Sequence, residues 1–228
     1  MSFTITGTLL KSIAPSLDLS RANSLSDSLN KITEVYGMNT VEVLPAFIAQ
    51  LAHESQEFKA KAENLNYSAQ AILNTWPSRF KTLEDAQPFA RNPQVLANKV
   101  YNGRMGNAAG SNDGWNFRGS GFMQMTGKES FLPYLNFKKA GKGYQFDHTP
   151  NTAEEVVELL RTNDEWAIDG ACWEFAVCKN CIPKATAKDF LGITKAINGG
   201  TIGLDSREQY YKKAIAAMSQ TSEESSLA

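Results

Sequence analysis

The chain has 228 residues, of which 42% are apolar and 21% are charged, a composition typical of a globular protein. This composition excludes an intrinsically disordered chain and a collagen-like repeat. The 23 basic and 24 acidic residues give a net charge of −1, so no overall positive field would attract a nucleic acid or an anionic membrane. We therefore expect neither as the main partner, and the length allows a single domain with its own core.

The first residues of the chain and its cysteines indicate in which cellular compartment the protein is made. Residues 1–11 lack a basic segment followed by a long apolar one, so we expect no secretory signal and synthesis in the cytoplasm. No stretch approaches the roughly 18 uninterrupted apolar residues of a membrane helix, which predicts no membrane insertion. Cys172, Cys178 and Cys181 are odd in number and close together, which favours reduced thiols over a disulfide framework.

Apolar residues recur mainly at helical spacing in the first hundred residues, and strand-like alternation is scarce. Residues of the kind that cap helices stand at the starts of three of these segments: Asn39, which forms a capping box with Glu42, then Ser68 and Asn92. The helices predicted in this half are 20–36, 41–58, 68–76 and 92–101.

The centre of the chain has a different composition. Residues 102–121 are rich in glycine and asparagine, which predicts loops and turns rather than packed helix. Helical spacing returns near residue 129, and further helices are predicted from 152, at 165–177, at 187–197 and at 205–218. The fold class is therefore mainly α, with a small irregular or β-hairpin element at the centre.

A carboxyl group lies near the C-terminal end of the apolar helix predicted at 41–58. Glu54 and its neighbour His53 follow the apolar run 47–52 directly, so Glu54 would sit among apolar side chains near the negative end of the helix dipole. Both effects oppose ionisation, as a general acid working near neutral pH needs. A solvated glutamate on a helix face, the role expected for Glu57, is the interpretation that this feature taken alone favours.

Glu63 supplies a second carboxyl group nine residues after Glu54. Along an unbroken helix this spacing turns two side chains about 180° apart, so the two acids share a site only if the helix ends between them and the chain folds back. The polar stretch 64–67 fits such a reversal. Two convergent carboxyl groups in different surroundings are what glycoside hydrolysis requires, although pairs of nearby glutamates are common.

The segment 114–127 is rich in glycine, which lets a backbone approach a ligand closely. Gln124 and Thr126 alternate with apolar residues, which predicts an extended stretch with both polar side chains on one face. A phosphate-binding loop is disfavoured because the segment lacks a Gly-Lys-Ser/Thr ending and a third fingerprint glycine, whereas a plain tight turn stays open. Trp115 is the better candidate for stacking on a ligand, because the tryptophans of the apolar helix at 165–177 favour a core role.

Five segments, in this order along the chain, resemble glycoside hydrolase family 19, which contains chitinases and phage endolysins. The segments are Ala52–Ser55, Glu63–Tyr67, Tyr101–Asn107, Phe117–Gly127 and Thr194–Arg207. The likeness covers roughly residues 45–215. The second and third segments resemble the bacterial and phage endolysin branch more than the plant chitinases.

The resemblance implies a lysozyme-like fold, in which two lobes enclose a cleft, and inverting hydrolysis without a cofactor or a metal ion. We expect one catalytic domain over residues 1–218, with its smaller lobe within about 77–163. The tail 219–228 is polar, and we expect it to be flexible. We also expect the chain to act as a monomer on a glycan.

Matched by position, the family pattern assigns Glu54 as the general acid, Glu63 as the general base, and Thr126 as a hydroxyl residue that helps to hold the attacking water. Arg207 matches an arginine that supports the carboxylates. One departure is Ser120, where the endolysin loop often has a second arginine, so the affinity of the sugar subsites stays open. The cleft positions expected to contact sugar are His53, Tyr67, Gln124 and Asn198.

The resemblance favours a peptidoglycan-degrading endolysin that cleaves β-1,4 bonds between amino sugars and reaches the cell wall through a separate pore or a delivery system. A chitinase, a lytic transglycosylase and a non-catalytic glycan-binding module stay open, although Glu63 and Thr126 together favour an enzyme that uses water. Cys178 and Cys181 match half a zinc site without a second pair, which favours packing residues. A cysteine–histidine amidase is disfavoured because no cysteine lies at an exposed helix start.

Overall fold

The computed structural model describes residues 2–226, which form thirteen α-helices, one 3-10 turn (Gln87–Phe89) and one π-helical turn (Glu174–Cys178). Extended pairing in this part of the chain is confined to isolated β-bridges. The mainly α class expected of a lysozyme-like fold is therefore confirmed. The α-helices are α1 (Gly7–Ile13), α2 (Leu19–Val35), α3 (Leu44–Glu54), α4 (Ala69–Thr75), α5 (Leu83–Ala86), α6 (Pro93–Tyr101), α7 (Asp113–Asn116), α8 (Lys128–Lys139), α9 (Ala153–Thr162), α10 (Asp164–Trp173), α11 (Ile182–Thr186), α12 (Phe190–Asn198) and α13 (Leu204–Ser226).

Helix α3 lies at the centre of the largest hydrophobic core. Every residue from Leu44 to Ala52 is buried, as expected for a helix that is apolar on all sides rather than along one stripe. The helix packs along α13, and the ring of Phe47 meets that of Phe175 edge-on with centroids 5.3 Å apart. This burial fixes the direction in which the last residue of the helix, Glu54, leaves the core.

Two smaller hydrophobic clusters lie outside this core. One joins apolar side chains between 65 and 101, and the other joins apolar side chains between 117 and 173. The glycine-rich segment runs between the two clusters, with Trp115 against the first and Phe117 inside the second. The single domain over 1–218 and the smaller lobe within 77–163 stay predictions, and the first cluster begins before residue 77.

Several helix ends lie where the sequence predicts them. The side-chain oxygens of Ser68 and Thr152 each accept a hydrogen bond from a backbone N–H in the first turn of α4 and α9, which satisfies a donor that the helix itself leaves unpaired. Helix α12 ends at Asn198, and the next residue, Gly199, is left-handed. Local sequence signals are therefore enough to place these boundaries.

Several helices have bounds that differ from the predicted ones, among them the helix predicted at 41–58 and the last helix. The helix predicted at 41–58 begins at Leu44 without a side-chain cap, so the capping box of Asn39 and Glu42 is wrong. It ends at Glu54 because the backbone at residues 56–58 turns left-handed. The last helix runs past 218 to Ser226 and so includes most of the segment expected to be flexible, of which 227–228 lie outside the described residues.

The stretch 122–125, predicted to be extended, is a tight turn. Ser120 and Met125 exchange two backbone hydrogen bonds of 2.9 Å each. Between them, Gly121 and Gln124 take left-handed φ values of 76° and 55°, and the Gln124 side-chain amide donates to the Gly121 carbonyl at 2.9 Å. The left-handed residues break the alternation of side chains, so the extended prediction is wrong and the tight-turn alternative is confirmed.

A buried polar network ties α2, α8 and α10 together. Asp169 is fully buried and accepts hydrogen bonds from the hydroxyls of Tyr36 at 2.8 Å and Tyr134 at 2.5 Å, while the Lys138 ammonium lies 3.0 Å from its second oxygen. Burial and the charge of Asp169 raise the pKa of both tyrosines, so their hydroxyls remain donors. Paired in this way, the buried charges avoid the full cost of desolvation.

The π-helical turn buries one oxygen of the Glu174 carboxyl group. The Oε2 atom of Glu174 is buried and accepts no hydrogen bond from any described residue. Burial raises the pKa of Glu174 to about 7, Lys179 opposes this rise, and the charge of Glu54 adds to it. The protonated form of Glu174 is therefore favoured in the folded protein below neutral pH.

We expect Glu174→Gln to stabilise the protein at alkaline pH. The folded-state pKa lies above the ordinary 4.5, so protonation of Glu174 contributes stability below about pH 4.5, and that contribution is lost as the pH rises through about 7. The neutral amide removes this loss. Urea unfolding should give similar free energies for both proteins near pH 4.5, and a value for the variant that is higher by up to about 3 kcal/mol at pH 8. Equal pH dependence in the two proteins would contradict the assignment, and Glu34→Gln, at an exposed position, is the control.

Candidate active site

A cavity of about 420 Å³ opens beside the C-terminal end of α3. It contains four of the residues singled out in the sequence, Glu54, Glu63, Tyr67 and Gln124. The two acids that stand nine residues apart therefore line one site. The remaining lining residues are Gln56, Lys59, Ala60, Ala62 and Asn64.

A left-handed turn (Gln56–Phe58) reverses the chain between the two acids. Its three residues have φ values of 52°, 60° and 64°, a conformation that costs roughly 1–2 kcal/mol per residue for L-amino acids. The carboxylate of Glu57 holds the turn by accepting hydrogen bonds from the Ser16 N–H at 2.7 Å and the Tyr210 hydroxyl at 2.9 Å. The expectation that Glu57 is simply solvated is therefore wrong, since it anchors the reversal.

Glu54 is held by a buried arginine. Arg207, which is 2% exposed, donates from Nη2 to Oε1 of Glu54 at 2.5 Å and from Nη1 to the side-chain oxygen of Gln50. Gln50 donates in turn to the Thr194 hydroxyl at 3.1 Å. The Oε2 atom of Glu54 has no hydrogen-bond partner among the described residues, so one oxygen is fixed and the other is available to a ligand.

His53 lies behind this pair rather than in the cavity. Its Nδ1 is 3.0 Å from the Ser206 hydroxyl, and it is not one of the lining residues. Burial and the positive charge of Arg207 lower the pKa of His53, with Glu54 acting in the opposite direction. The imidazole is therefore neutral near pH 7 and adds no charge beside Glu54.

Glu63 accepts hydrogen bonds at both of its carboxyl oxygens. The Tyr101 hydroxyl donates to Oε1 at 2.7 Å, and the Gly119 N–H donates to Oε2 at 3.2 Å. The backbone N–H of Glu63 also donates to the Gly119 carbonyl at 2.8 Å. Burial and the charge of Glu63 raise the pKa of Tyr101, so the tyrosine stays a donor. This carboxyl group is fixed on both sides, unlike that of Glu54.

Thr126 directly follows the tight turn at 122–125. Its hydroxyl donates to the Gln124 carbonyl at 2.9 Å, and it does not line the cavity. Helix α8 begins at Lys128 and has no side-chain cap, so the alternative that Thr126 caps this helix is wrong. A role in holding water stays a prediction.

Trp115 and Asn198 are also absent from the cavity wall. The Arg118 guanidinium covers the ring of Trp115 at 3.5 Å from the centroid, which leaves less of the ring for a sugar. Asn198 is exposed and donates to the Ile202 carbonyl at 3.1 Å. Their contacts with sugar stay predictions.

Sequence reasoning missed three residues that support the carboxyl groups: Gln50, which holds Arg207, and Tyr101 and Gly119, which hold Glu63. The last two stand inside the segments that carry the family resemblance, so a search of those segments for donors could have found them. Gln50 is fully buried within an otherwise apolar helix, and a polar residue in such a position is itself a signal because it needs a partner.

The rest of the described chain offers no second chemical centre of the kinds considered from the sequence. Within residues 2–226, no group of three or more His, Cys, Asp or Glu side chains is arranged to hold a metal ion. No helix in this part is both long and apolar enough to cross a membrane. The thiols of Cys172, Cys178 and Cys181 are free, and burial raises the pKa of all three, which makes them weak nucleophiles.

Comparison with known proteins identifies the family. No family model matches the chain. A glycosyl hydrolase family 19 domain-containing protein of Haemophilus influenzae is 33% identical over 167 residues, which cover 73% of this chain and 75% of that protein. The likeness therefore spans most of both proteins, and this chain belongs to glycosyl hydrolase family 19.

Proposed function

We propose that the protein is a peptidoglycan-degrading hydrolase of the endolysin kind, which cleaves β-1,4 bonds between amino sugars with inversion of configuration. The observation that carries this proposal is that Glu54 and Glu63 line one cavity in different surroundings. An inverting glycosidase needs one carboxyl group as acid and a second as base, with room for a water molecule between them.

Glu54 is suited to the role of the acid. Its unpartnered Oε2 gives a proton to the glycosidic oxygen as the bond between that oxygen and the anomeric carbon breaks. The carboxylate that remains is stabilised by the charge-assisted hydrogen bond from Arg207 to Oε1. Arg207 therefore favours the state that forms when the proton leaves.

Glu63 is suited to the role of the base. It takes a proton from a water molecule as the water oxygen bonds to the anomeric carbon on the face opposite the leaving sugar. The donors on Glu63, Tyr101 and Gly119, fix its orientation so that little motion is needed at that moment. Proton exchange with solvent then returns Glu54 to the acid form and Glu63 to the base form.

The position of Lys59 favours a substrate glycan that carries negative charge. Lys59 lines the cavity and is exposed, and its side-chain ammonium makes no ion pair or hydrogen bond with any described residue. The stem-peptide carboxylates of peptidoglycan, and the lactyl carboxylate where no peptide is attached, would pair with such an ammonium, whereas a polymer of N-acetylglucosamine is neutral. The endolysin-like segments at 63–67 and 101–107 favour the same substrate.

Mass analysis of the products tests this function against its rivals. Purified peptidoglycan and chitin oligomers are each incubated with the protein. We expect muropeptides with ordinary reducing ends from peptidoglycan and slower cleavage of chitin. Anhydro-sugars would indicate a lytic transglycosylase, cleavage of chitin alone a chitinase, and binding without products a glycan-binding module.

Glu54→Gln should abolish hydrolysis while the protein stays folded. The amide has the shape of the carboxyl group but cannot donate its proton, so turnover should fall by at least about 10²-fold. Turnover is measured on peptidoglycan together with thermal unfolding, and Glu84→Gln, at an exposed position on α5, is the matched control. Near-wild-type turnover of a folded Glu54→Gln protein would remove Glu54 from the mechanism.

Thr126→Val separates a catalytic role of the hydroxyl from a local one. If Thr126 holds the attacking water, the valine variant should lose about tenfold or more in kcat with little change in KM, on the scale of one hydrogen bond in the transition state. If the hydroxyl only bonds to the Gln124 carbonyl, the loss should be about 1 kcal/mol of stability with kcat unchanged. Thr126→Ser keeps the hydroxyl and is the control.

A further inference from the structure

Arg161, on α9, places its guanidinium against the loop that carries Gly119. Its Nε donates to the Ser120 hydroxyl at 2.8 Å, and its Nη2 donates to the carbonyls of Asn116 at 2.9 Å and Arg118 at 3.3 Å. The Ser120 hydroxyl also donates to the Arg118 carbonyl, at 2.8 Å. The side chain of Arg161, which is distant in sequence, therefore binds three acceptors between residues 116 and 120.

The charge of Arg161 has no carboxylate partner within ion-pair distance among the described residues. Burial and the positive charge of Arg118 lower the pKa of Arg161 to about 10, while Glu158 and Glu63 act in the opposite direction. A largely buried cation held by neutral oxygens alone is costly. Ionisable groups with strongly perturbed pKa values are found preferentially at functional sites. Of the two cavity acids, Glu63 is the one whose charge acts on the pKa of Arg161.

The peptide bond between Arg118 and Gly119 connects Arg161 to Glu63. A trans peptide is planar, so its C=O and N–H point in opposite directions. The Arg118 carbonyl points to the donors of Arg161 and Ser120, and the Gly119 N–H therefore points the other way, to Oε2 of Glu63 at 3.2 Å. Arg161 and Ser120 therefore fix the orientation of this peptide plane through its carbonyl, and the same orientation aims its N–H at Glu63.

Close packing at Gly119 leaves this peptide little freedom. A Cβ atom at this position would lie 2.7 Å from the side-chain oxygen of Gln124 and 3.1 Å from the Cβ of Glu63. The Gly119 carbonyl also accepts the backbone N–H of Glu63 at 2.8 Å. Any rotation of the loop at this point would therefore move the Glu63 carboxylate as well.

We propose that Arg161 is a positioning residue for Glu63: it fixes the peptide whose N–H holds the carboxylate, and it adds positive charge on that side of the site. The inference rests on the proposed function, because the orientation of Glu63 affects turnover only if Glu63 acts as the base. Arg161 does not line the cavity, so it acts through Gly119 rather than on the substrate.

Arg161→Met should lower kcat by about ten- to hundred-fold with KM changed by less than about twofold, because the base is misplaced while the sugar-binding surface is intact. Less positive charge then faces Glu63, so the acid limb of the kcat profile should move to higher pH. The other titratable or charged groups near this carboxyl group or across the cavity stay in place: Glu54, Lys59, Tyr67, Tyr101, Arg104 and Arg118.

Arg161→Lys and Tyr36→Phe are the comparison variants. Lysine restores the charge but not the three-point contact of the guanidinium, so the acid limb should return toward the wild-type position while most of the kcat loss remains. Tyr36→Phe removes one hydrogen bond from the Asp169 network and should lower stability without moving kcat or the pH profile. An Arg161→Met protein whose kcat falls only in proportion to its folded fraction, with the wild-type acid limb, would overturn the proposal.

A second readout does not depend on catalysis. The Gly119 amide resonance in a 1H–15N spectrum should move when Glu63→Gln removes the charge that this N–H contacts, and Arg161→Met should reduce that response. Where Arg161→Met does not fold, Ser120→Ala, which removes one of the three acceptors, should give a smaller change in the same direction. If the Gly119 response depends on Arg161 but the protein cleaves no glycan, the proposed function is wrong and the positioning role stands.

If the protein is active but the Gly119 response is the same with and without Arg161, the positioning role is wrong and the proposed function stands.

Discussion

The reversal of the chain between Glu54 and Glu63 is the constraint on which the site depends. If α3 continued, Glu63 would lie on the far side of the helix from Glu54. The left-handed turn (Gln56–Phe58) prevents this at a conformational cost of a few kcal/mol. That cost is offset by the two hydrogen bonds to Glu57 and by the edge-to-face packing of Phe58 on Phe122, with centroids 5.6 Å apart. A buried helix thus holds one acid, and a strained turn brings the other to face it.

The two carboxyl groups are held by different parts of the molecule. Arg207 stands on α13, which packs along α3 in the largest core, and it fixes Glu54. Tyr101 ends α6 beside the 65–101 cluster, whereas Gly119 belongs to the loop that leads into the 117–173 cluster, and both fix Glu63. The site therefore lies where three packed units meet, and a shift between them would alter the separation of the two carboxyl groups.

Local signals in the sequence predicted most helices, whereas the family resemblance placed Glu54, Glu63, Tyr67 and Gln124 in one cleft. The alternation at 122–126 led to a wrong extended stretch because φ at Gly121 and Gln124 is set by a turn hydrogen bond that alternation does not report. The supports of the acids depend on contacts between residues far apart in the chain, such as Arg207 with Gln50 or Arg161 with Ser120. The resemblance pointed to Arg207 as a support, but no spacing rule within one segment contains such contacts, so Gln50 and Arg161 were found only in the fold.

The configuration of the first product decides whether Glu63 acts on water or on the sugar. Proton NMR recorded during hydrolysis distinguishes the anomers before they interconvert. Attack by water on the face opposite the leaving group converts a β-linked glycan to an α-anomer, so the α signal should appear first. A β-anomer that appears first would mean retention through a covalent or substrate-assisted intermediate and would contradict the assignment of Glu63 as the base.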